Sequence, residues 1–526
     1  MSEKEKIVIG IDFGTSRSGF AYSFIGDKEQ DIYGNNNWTD YKTDSAILLK
    51  KDKNGDCRGG ASLIEIVEFG QEAIRKYVEM LEEEEEGDMY ELFRYYKMSL
   101  YKSRTFVKSV AGSVFKLVDV IAMSLQWLKD TALQHINLTV RTPIETDQVR
   151  WVLTVPAIWT EKAKHFMRVC AHRGGLIDNE DSEHLLLIHE PEAAAIEGLF
   201  SAKAIVSEEV FESGKVLILD AGSGTIDITV LEIDRSQREN SYKIKVIIPA
   251  KGRSDWSNTI DKNFVSFLQK FLGTEDFKSN PDFIDLFQKW IEEKHRVRLN
   301  YKKSTTPIRF TIQESLSGET PVEDLVKKWN EGKEKTDQTF IKSGMLNKRS
   351  IKLSKAFLAS LFDKPVNNVL QNIEKVFKKY EQTLHDVKDI LMVGSYSNSD
   401  ILYHAVKKKF EDDPYNLTVL DGTNPGRDIA FGAVKPQEFI SMGRDLTLEI
   451  YRSKRELDTD VVYYIDEEDF EFFGSTIIRN IQSENDQPVG ITIEFKFGGT
   501  MIKVDVVNKE NNMTFPGTIV YKEKNI

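Results

Sequence analysis

Residues 216–233 read VLILDAGSGTIDITVLEI: an apolar run ending in Asp220, a small-residue turn from Ala221 to Thr225, and an alternating return strand. Runs rich in Ile, Val and Leu, split by Gly and Ser, carry the pattern of a β-hairpin. Residues 7–26, IVIGIDFGTSRSGFAYSFIG, repeat it, with Asp12 at the strand end and Gly14, Thr15 and Ser16 in the turn. Either copy alone is ordinary turn chemistry, because Asp, Gly and Ser are common at tight connections. Two copies this far apart in one chain point to a duplicated α/β architecture.

Two such hairpins facing one another could hold a phosphate chain. Glycines let backbone N–H groups approach phosphate oxygens, and the hydroxyls of Thr15, Ser16, Ser223 and Thr225 add donors. A carboxylate such as Asp12 or Asp220 would repel phosphate directly, yet it can hold a hydrated Mg²⁺ that does not. Rival phosphate motifs fail. The chain contains no Gly-x-x-x-x-Gly-Lys-Ser/Thr segment, and Gly222-Ser223-Gly224 lacks the third glycine of a dinucleotide fingerprint. Asp12-Phe13-Gly14 spells a kinase magnesium motif, but no catalytic loop precedes it. The histidines show no His-Glu-x-x-His spacing, so zinc is unsupported.

Bulk properties narrow the class further. A chain of 526 residues exceeds one ordinary domain and calls for two or more lobes. A formal charge of −13 would repel nucleic-acid backbones. Cys57 and Cys170 are the sole cysteines, too few for a disulfide framework. No apolar run approaches a membrane span, and the start MSEKEK carries no signal-peptide core, so the expected compartment is the cytosol.

Between the hairpins the pattern is mostly helical. Periodicity predicts an amphipathic helix over 114–135, and a solvated helix face or loop at the five-Glu run Glu82–Glu86. A buried strand, WVLTV (151–155), should precede a helix opening near Thr160 and closing at Gly174. A further strand, LLLIH (185–189), runs into Glu190-Pro191 and an alanine-rich helix, with Pro191 holding Glu190 out of helical geometry. Residues 260–300 and 351–380 are helical by period, and 388–393 form a strand ended by Gly394. Ser397 or Ser399 can cap the helix that follows. From about 437 the alternation of GITIEFKFGGTMIKVDVV (490–507) reads as antiparallel strands, which places a boundary there.

The segments IGIDFGTSRSGFAYSF, WVLTVPAIWTEKAKHFMRVCAHRGGL, LLLIHEPEAAAIEGLF, VLILDAGSGTIDITVLEI and ILMVGSYSNSDIL occur in that order. Together they resemble the successive nucleotide-site motifs of the seventy-kilodalton heat-shock protein family. FRYYKMSLY (93–101), VPAIW, IKLSKAFLASLFDKPVNNVLQNIEKV (351–376) and NPGRDIAFGAV (424–434) are similar to its divergent branch named heat shock 70 kDa protein 12A/12B. The resemblance covers about residues 5–436. It implies an actin-like, two-lobed ATPase domain over 1–436, built on duplicated ribonuclease H-like cores, with a small β-rich region over 437–526. One lobe would span about 1–203 with 424–436, and the other about 204–423.

The resemblance also implies roles. Asp12 and Asp220 would orient waters around Mg²⁺. Gly14, Thr15, Ser16, Gly222, Ser223, Gly224 and Thr225 would cradle the β- and γ-phosphates of ATP or ADP. Lys97 would neutralise the transferred phosphoryl group, although by composition alone it is a solvated helix lysine. Glu190 would position the lytic water, with Thr225 and Asp227 in the same shell. Glu293, Arg296, Gly394 and Ser395 would face the nucleoside. Pro156 and Lys164 resemble the pair that passes nucleotide state onward. Phosphoryl transfer needs charge compensation and an in-line water more than covalent chemistry, which suits this set.

Departures weaken the expectation of turnover more than the expectation of binding. Ser223 and Ser395 stand where the family has glycine, and Lys251-Gly252-Arg253-Ser254 has one glycine where a paired-glycine phosphate turn is usual. Beyond 437 the chain is too short for the family's peptide-binding sandwich and lid. The expectation is therefore a Mg-dependent ATPase and chaperone-related protein that meets protein clients or co-chaperones, with no nucleic acid and no membrane span. The alternatives are a nucleotide-binding scaffold with little hydrolysis and, behind it, a small-molecule kinase of the same fold.

Overall fold

Ile7, Val8, Ile9 and Ile11 are buried, as are Val216, Leu217, Ile218 and Leu219. Strands apolar on both faces must lie inside sheets covered on both sides. The computed structural model describes residues 5–26, 31–51, 63–82, 89–102, 104–180, 182–205, 214–222, 224–235, 242–254, 257–274, 280–294, 308–331, 349–394, 396–397, 399–411, 415–421, 427–435, 446–453, 470–478, 491–498, 501–508 and 514–518. The chain divides into two compact units, one of residues 1–231 and 247–436 and one of 232–246 and 437–526.

The first unit is a mixed α/β structure with two central sheets of matching topology. In one, the order is Leu185–His189, Val149–Val155, Ile7–Asp12, Arg17–Phe24 and Tyr33–Gly34. In the other it is Thr418–Asp421, Asp389–Val393, Lys215–Ala221, then Thr225–Arg235 as far as Leu231 and Tyr242–Ser254 from Ile247 on. Each sheet thus carries a hairpin whose first strand pairs in parallel with a later strand, itself parallel to a third. This repeated order is the actin-like, two-lobed fold expected from the sequence.

Each lobe has its own core. The first gathers Phe13, Phe93, Phe115 and Trp151, and the second Phe264, Trp290, Phe310 and Phe362. Helix Leu117–Asn137 packs on helix Glu161–Arg173 in the first lobe. The N-cap Thr160 accepts from the Ala163 amide, and Gly174 closes the helix. The helix Asp428–Val434 lies against strands Ile7–Asp12 and Arg17–Phe24 and against the helix Glu190–Ile205.

Several local expectations change. Residues 114–116 form the strand Val114–Lys116, paired with Phe106–Lys108, and the helix starts only at Leu117. Phe115 is fully buried there, and hairpin pairing wins over helical period. Residues 70–100 contain the helix Gln71–Glu82, but also the strand Tyr90–Arg94, which pairs with Ala46–Lys51. Glu190 is itself the first residue of its helix, so Pro191 does not hold it outside. Pro191 is tolerated within the first turn because its missing N–H has no partner to lose there. Lys251–Ser254 continue an extended strand and make no turn. Ser399 occupies the N-cap of Asp400–Phe410 without a side-chain capping bond, and the Ser397 hydroxyl donates instead to Gly394 O at 2.8 Å. The run 83–88 lies outside the described residues.

The second unit is built of antiparallel strands. Leu446–Ser453 pairs with Phe470–Ile478, and Ile491–Gly498, Met501–Asn508 and Thr514–Thr518 form a three-stranded sheet. Its register sets Ile493 opposite Val506 and Phe495 opposite Val504, as strict period-two alternation requires.

Candidate functional site

The turn of the first hairpin admits only glycine at its tightest point. A Cβ on Gly14 would lie 2.1 Å from Arg17 O. The turn is fastened from behind. Gly14 N donates to Ser18 Oγ at 3.2 Å, Ser45 Oγ donates to Gly14 O at 2.8 Å, and the two serine hydroxyls lie 2.7 Å apart. Thr15 and Ser16 are half-buried at its tip. In the second hairpin Gly222 N donates to Thr225 O at 3.1 Å, and Thr225 is buried.

The two turns meet. A Cβ on Gly224 would lie 2.5 Å from both Thr15 Oγ1 and Met98 Sδ, so this glycine lets the hairpins touch. Around the junction four carboxylates are buried, Asp12, Glu190, Asp220 and Asp227, and so are two lysines, Lys42 and Lys97. Lys97 donates to Glu190 Oε1 at 2.8 Å. Its ammonium also lies 5.0 Å from the Trp159 ring centroid and 5.9 Å from that of Phe13. Trp159 is brought there by a turn in which its amide donates to Pro156 O at 3.2 Å. Lys164 lies one turn further, in the helix Glu161–Arg173. Asp12 is ion-paired with Lys42 and accepts from Thr154 Oγ1 at 3.4 Å.

Asp220 is wedged by the neighbouring strand end. Gly394 has φ +87°, and a Cβ there would stand 2.3 Å from Asp220 Oδ1. Among the described residues that oxygen has no hydrogen-bond partner, and neither Asp227 oxygen has one of ordinary geometry. Burial first, then the charges of Glu190, Asp227 and Asp12, hold the Asp220 carboxyl well above the usual range, with Lys42 opposing. Burial and Glu190 push Asp227 up to about 8, against Lys97 and the Ala157 backbone. Burial raises Glu190 as well, with Lys97 pulling the other way and Asp12 adding to the rise. With all four acids ionised the two lysines leave two negative charges over, and such an excess asks for a cation.

The donor chemistry fits magnesium. Carboxylate oxygens without partners are hard ligands, and Mg²⁺ keeps most of its waters. Among the described residues no three His, Cys, Asp or Glu side chains converge closely enough to ligate a metal directly. Such a set would hold the ion through its water shell.

Other predicted residues fall elsewhere. Glu293 is the half-buried last residue of helix Pro281–Glu293, and its neighbour Glu292 accepts from Gln71 Nε2 of the first lobe at 3.1 Å. Ser223, Arg296 and Ser395 lie outside the described residues. A cavity of about 500 Å³ opens between Arg94, Tyr95, Lys108, Lys262 and Phe287, and none of the four carboxylates lines it. The sequence motifs had missed Lys42, Ser18, Ser45 and Trp159. A lysine three residues before a strand-leading serine gives no signal by spacing, and only the sheet pairing brings it inward.

Residues 8–241 match the family model described as Hsp70 protein. That segment resembles Hsp70. Heat shock 70 kDa protein 12A of Mus musculus is 27% identical over 496 residues, covering 79% of this chain and 68% of that protein. Its counterpart in Homo sapiens gives the same identity and coverage. Heat shock 70 kDa protein 12B of Homo sapiens is 26% identical over 474 residues, covering 76% of this chain and 64% of that protein. The matched 8–241 segment holds both hairpins, Lys97 and Glu190, while Gly394 lies beyond it. No helix among the described residues is long and apolar enough to cross a membrane.

Proposed function

We propose that this Hsp70-like chain binds ATP or ADP with Mg²⁺ between its two hairpins and hydrolyses ATP. The observation that carries the reading is the junction itself: Thr15 and Gly224 meet beside the buried carboxyl groups of Asp12, Glu190, Asp220 and Asp227 and the buried lysines Lys42 and Lys97. Backbone and hydroxyl donors of Gly14, Thr15, Ser16, Gly222, Gly224 and Thr225 would take the phosphate oxygens. Asp12 and Asp220 would hold hydrated Mg²⁺, which when bound neutralises developing charge on the phosphate oxygens. Lys97, desolvated between Trp159 and Phe13 and paired with Glu190, would meet the transferred phosphoryl group with a charge little screened by solvent. Glu190, held at 2.8 Å by that lysine, would orient the attacking water, with Thr225 and Asp227 beside it. Gly394, Ser395, Glu293 and Arg296 would face the nucleoside.

Nucleotide state would then set the relation of the lobes, read by protein clients or co-chaperones in the cytosol as by a chaperone-related ATPase. The test is ATP turnover together with thermal stability. Saturating Mg-ATP should raise the melting temperature, by about 2.7 kcal/mol of stabilisation at a hundredfold excess over Kd. Lys97→Ala should lower turnover about a hundredfold or more. Unchanged turnover in both Lys97→Ala and Thr225→Val sinks the site assignment. Serines at 223 and 395, where the family carries glycine, favour a second reading of binding with little turnover. Stabilisation by Mg-ATP with release of ADP no faster than in buffer would select it.

A further inference from the structure

Lys42 lies in the strand Lys42–Asp44, which pairs with Arg17–Phe24 so that Lys42 stands opposite Gly19. Only 4% of its surface is exposed. Its place is built. A Cβ on Gly19 would lie 2.9 Å from Lys42 Cγ, so the glycine clears room for the lysine stem. Arg17 Nη2 donates to Lys42 O at 2.7 Å, and Tyr41 before it takes φ +60°. The ammonium is ion-paired with Asp12 Oδ2, and its charge also acts on Asp220 and Glu190. Burying a lysine is costly, so one fixed this firmly against carboxylates has an electrostatic task.

We infer that Lys42 is a resident counter-cation for Asp12, a positioning residue that makes nucleotide binding at this junction only weakly dependent on a divalent ion. The inference rests on the nucleotide-site reading above. Left alone, Asp12 would repel a phosphate chain arriving at the first hairpin, and a metal would be needed between them. Lys42 neutralises that carboxylate in advance, so the phosphates meet a neutral pair flanked by the donors of Gly14, Thr15 and Ser16. Asp220, whose Oδ1 has no partner among the described residues, keeps a preference for Mg²⁺ on the other side. The metal therefore strengthens binding without being required for it.

The experiment is calorimetric titration of ATP into the full chain, in excess Mg²⁺ and in EDTA. In the wild type, removing Mg²⁺ should weaken ATP binding by no more than about tenfold, whereas Lys42→Met should extend the loss to about a hundredfold or more, the scale of one charge-assisted contact. Lys42→Arg should behave as wild type. If Lys42→Met does not fold because Asp12 is stranded, the double variant Asp12→Asn with Lys42→Met removes both charges and should bind in EDTA as the wild type does. A wild type that binds Mg-ATP but loses more than about a hundredfold in EDTA overturns the role of Lys42 alone. So does EDTA binding in Lys42→Met equal to that of the wild type. A wild type that binds ATP under neither condition overturns the nucleotide-site reading, and this inference with it.

Discussion

A lysine within Phe93-Arg94-Tyr95-Tyr96-Lys97-Met98 reads by composition as a surface cation, yet it is 3% exposed and bound to Glu190. Glycine at 394 is a sharper case, because two requirements coincide there. Its φ of +87° disfavours any side chain, and the space a Cβ would take is held by Asp220 Oδ1 and Ala221 O. Gly26 has the same φ, but nothing lies within 4 Å of its added Cβ. Gly26→Ala should therefore cost about 1 kcal/mol of backbone strain. Gly394→Ala should cost about 1–3 kcal/mol more and also weaken ATP-dependent stabilisation, because Asp220 has to move. Denaturant unfolding with and without Mg-ATP checks both, and equal losses in the two variants would show that Asp220 is not wedged.

At the scale of elements, the junction depends on how closely two helices cross beneath it. The helix opening at Glu190 meets Asp428–Val434 with a Cβ on Gly432 placed 1.7 Å from Ala193 O. No rotamer change relieves a clash with backbone, so Gly432→Ala must push the helices apart. The expected cost is about 2–4 kcal/mol, and because Glu190 rides on the displaced helix, turnover should fall although residue 432 touches no phosphate. Melting temperature and turnover measured together test this. A destabilised variant with unchanged turnover would separate the helix crossing from the site. The Glu190–Lys97 contact shows the same dependence, since its two partners come from elements 93 residues apart.

At the scale of the whole molecule, the buried acids make stability depend on pH. Asp227 moves from an ordinary value of 3.8 to about 8 in the folded chain. A carboxyl raised in this way binds its proton more tightly folded than unfolded. Its favourable contribution is complete below about pH 4 and is lost as pH rises toward 8, by at most about 1.4 kcal/mol per unit. Glu190 and Asp220 are raised in the same sense. Without nucleotide, the melting temperature should fall between pH 5.5 and 8, and Asp227→Asn should flatten the slope and raise stability at pH 8. A steeper slope in Asp227→Asn would mean that the acid is ionised and satisfied in the native state.

The sequence by itself determined the repeated hairpins, the separate strands at 151–155, 185–189 and 388–393, and the alternation of the strands in 491–508, whereas their order and parallel pairing came from the fold. Each rests on local period and turn chemistry, which neighbouring residues suffice to encode. It also marked Asp12, Asp220 and Gly394, because a strand end followed by glycine is a local event. Tertiary structure alone decided that Lys97 and Lys42 are buried, that 114–116 pair as a strand, and that Ser18 and Ser45 brace the first turn. Those outcomes come from long-range sheet pairing and helix crossing, where burial overrides propensity and where a charge finds its partner only after distant segments have met.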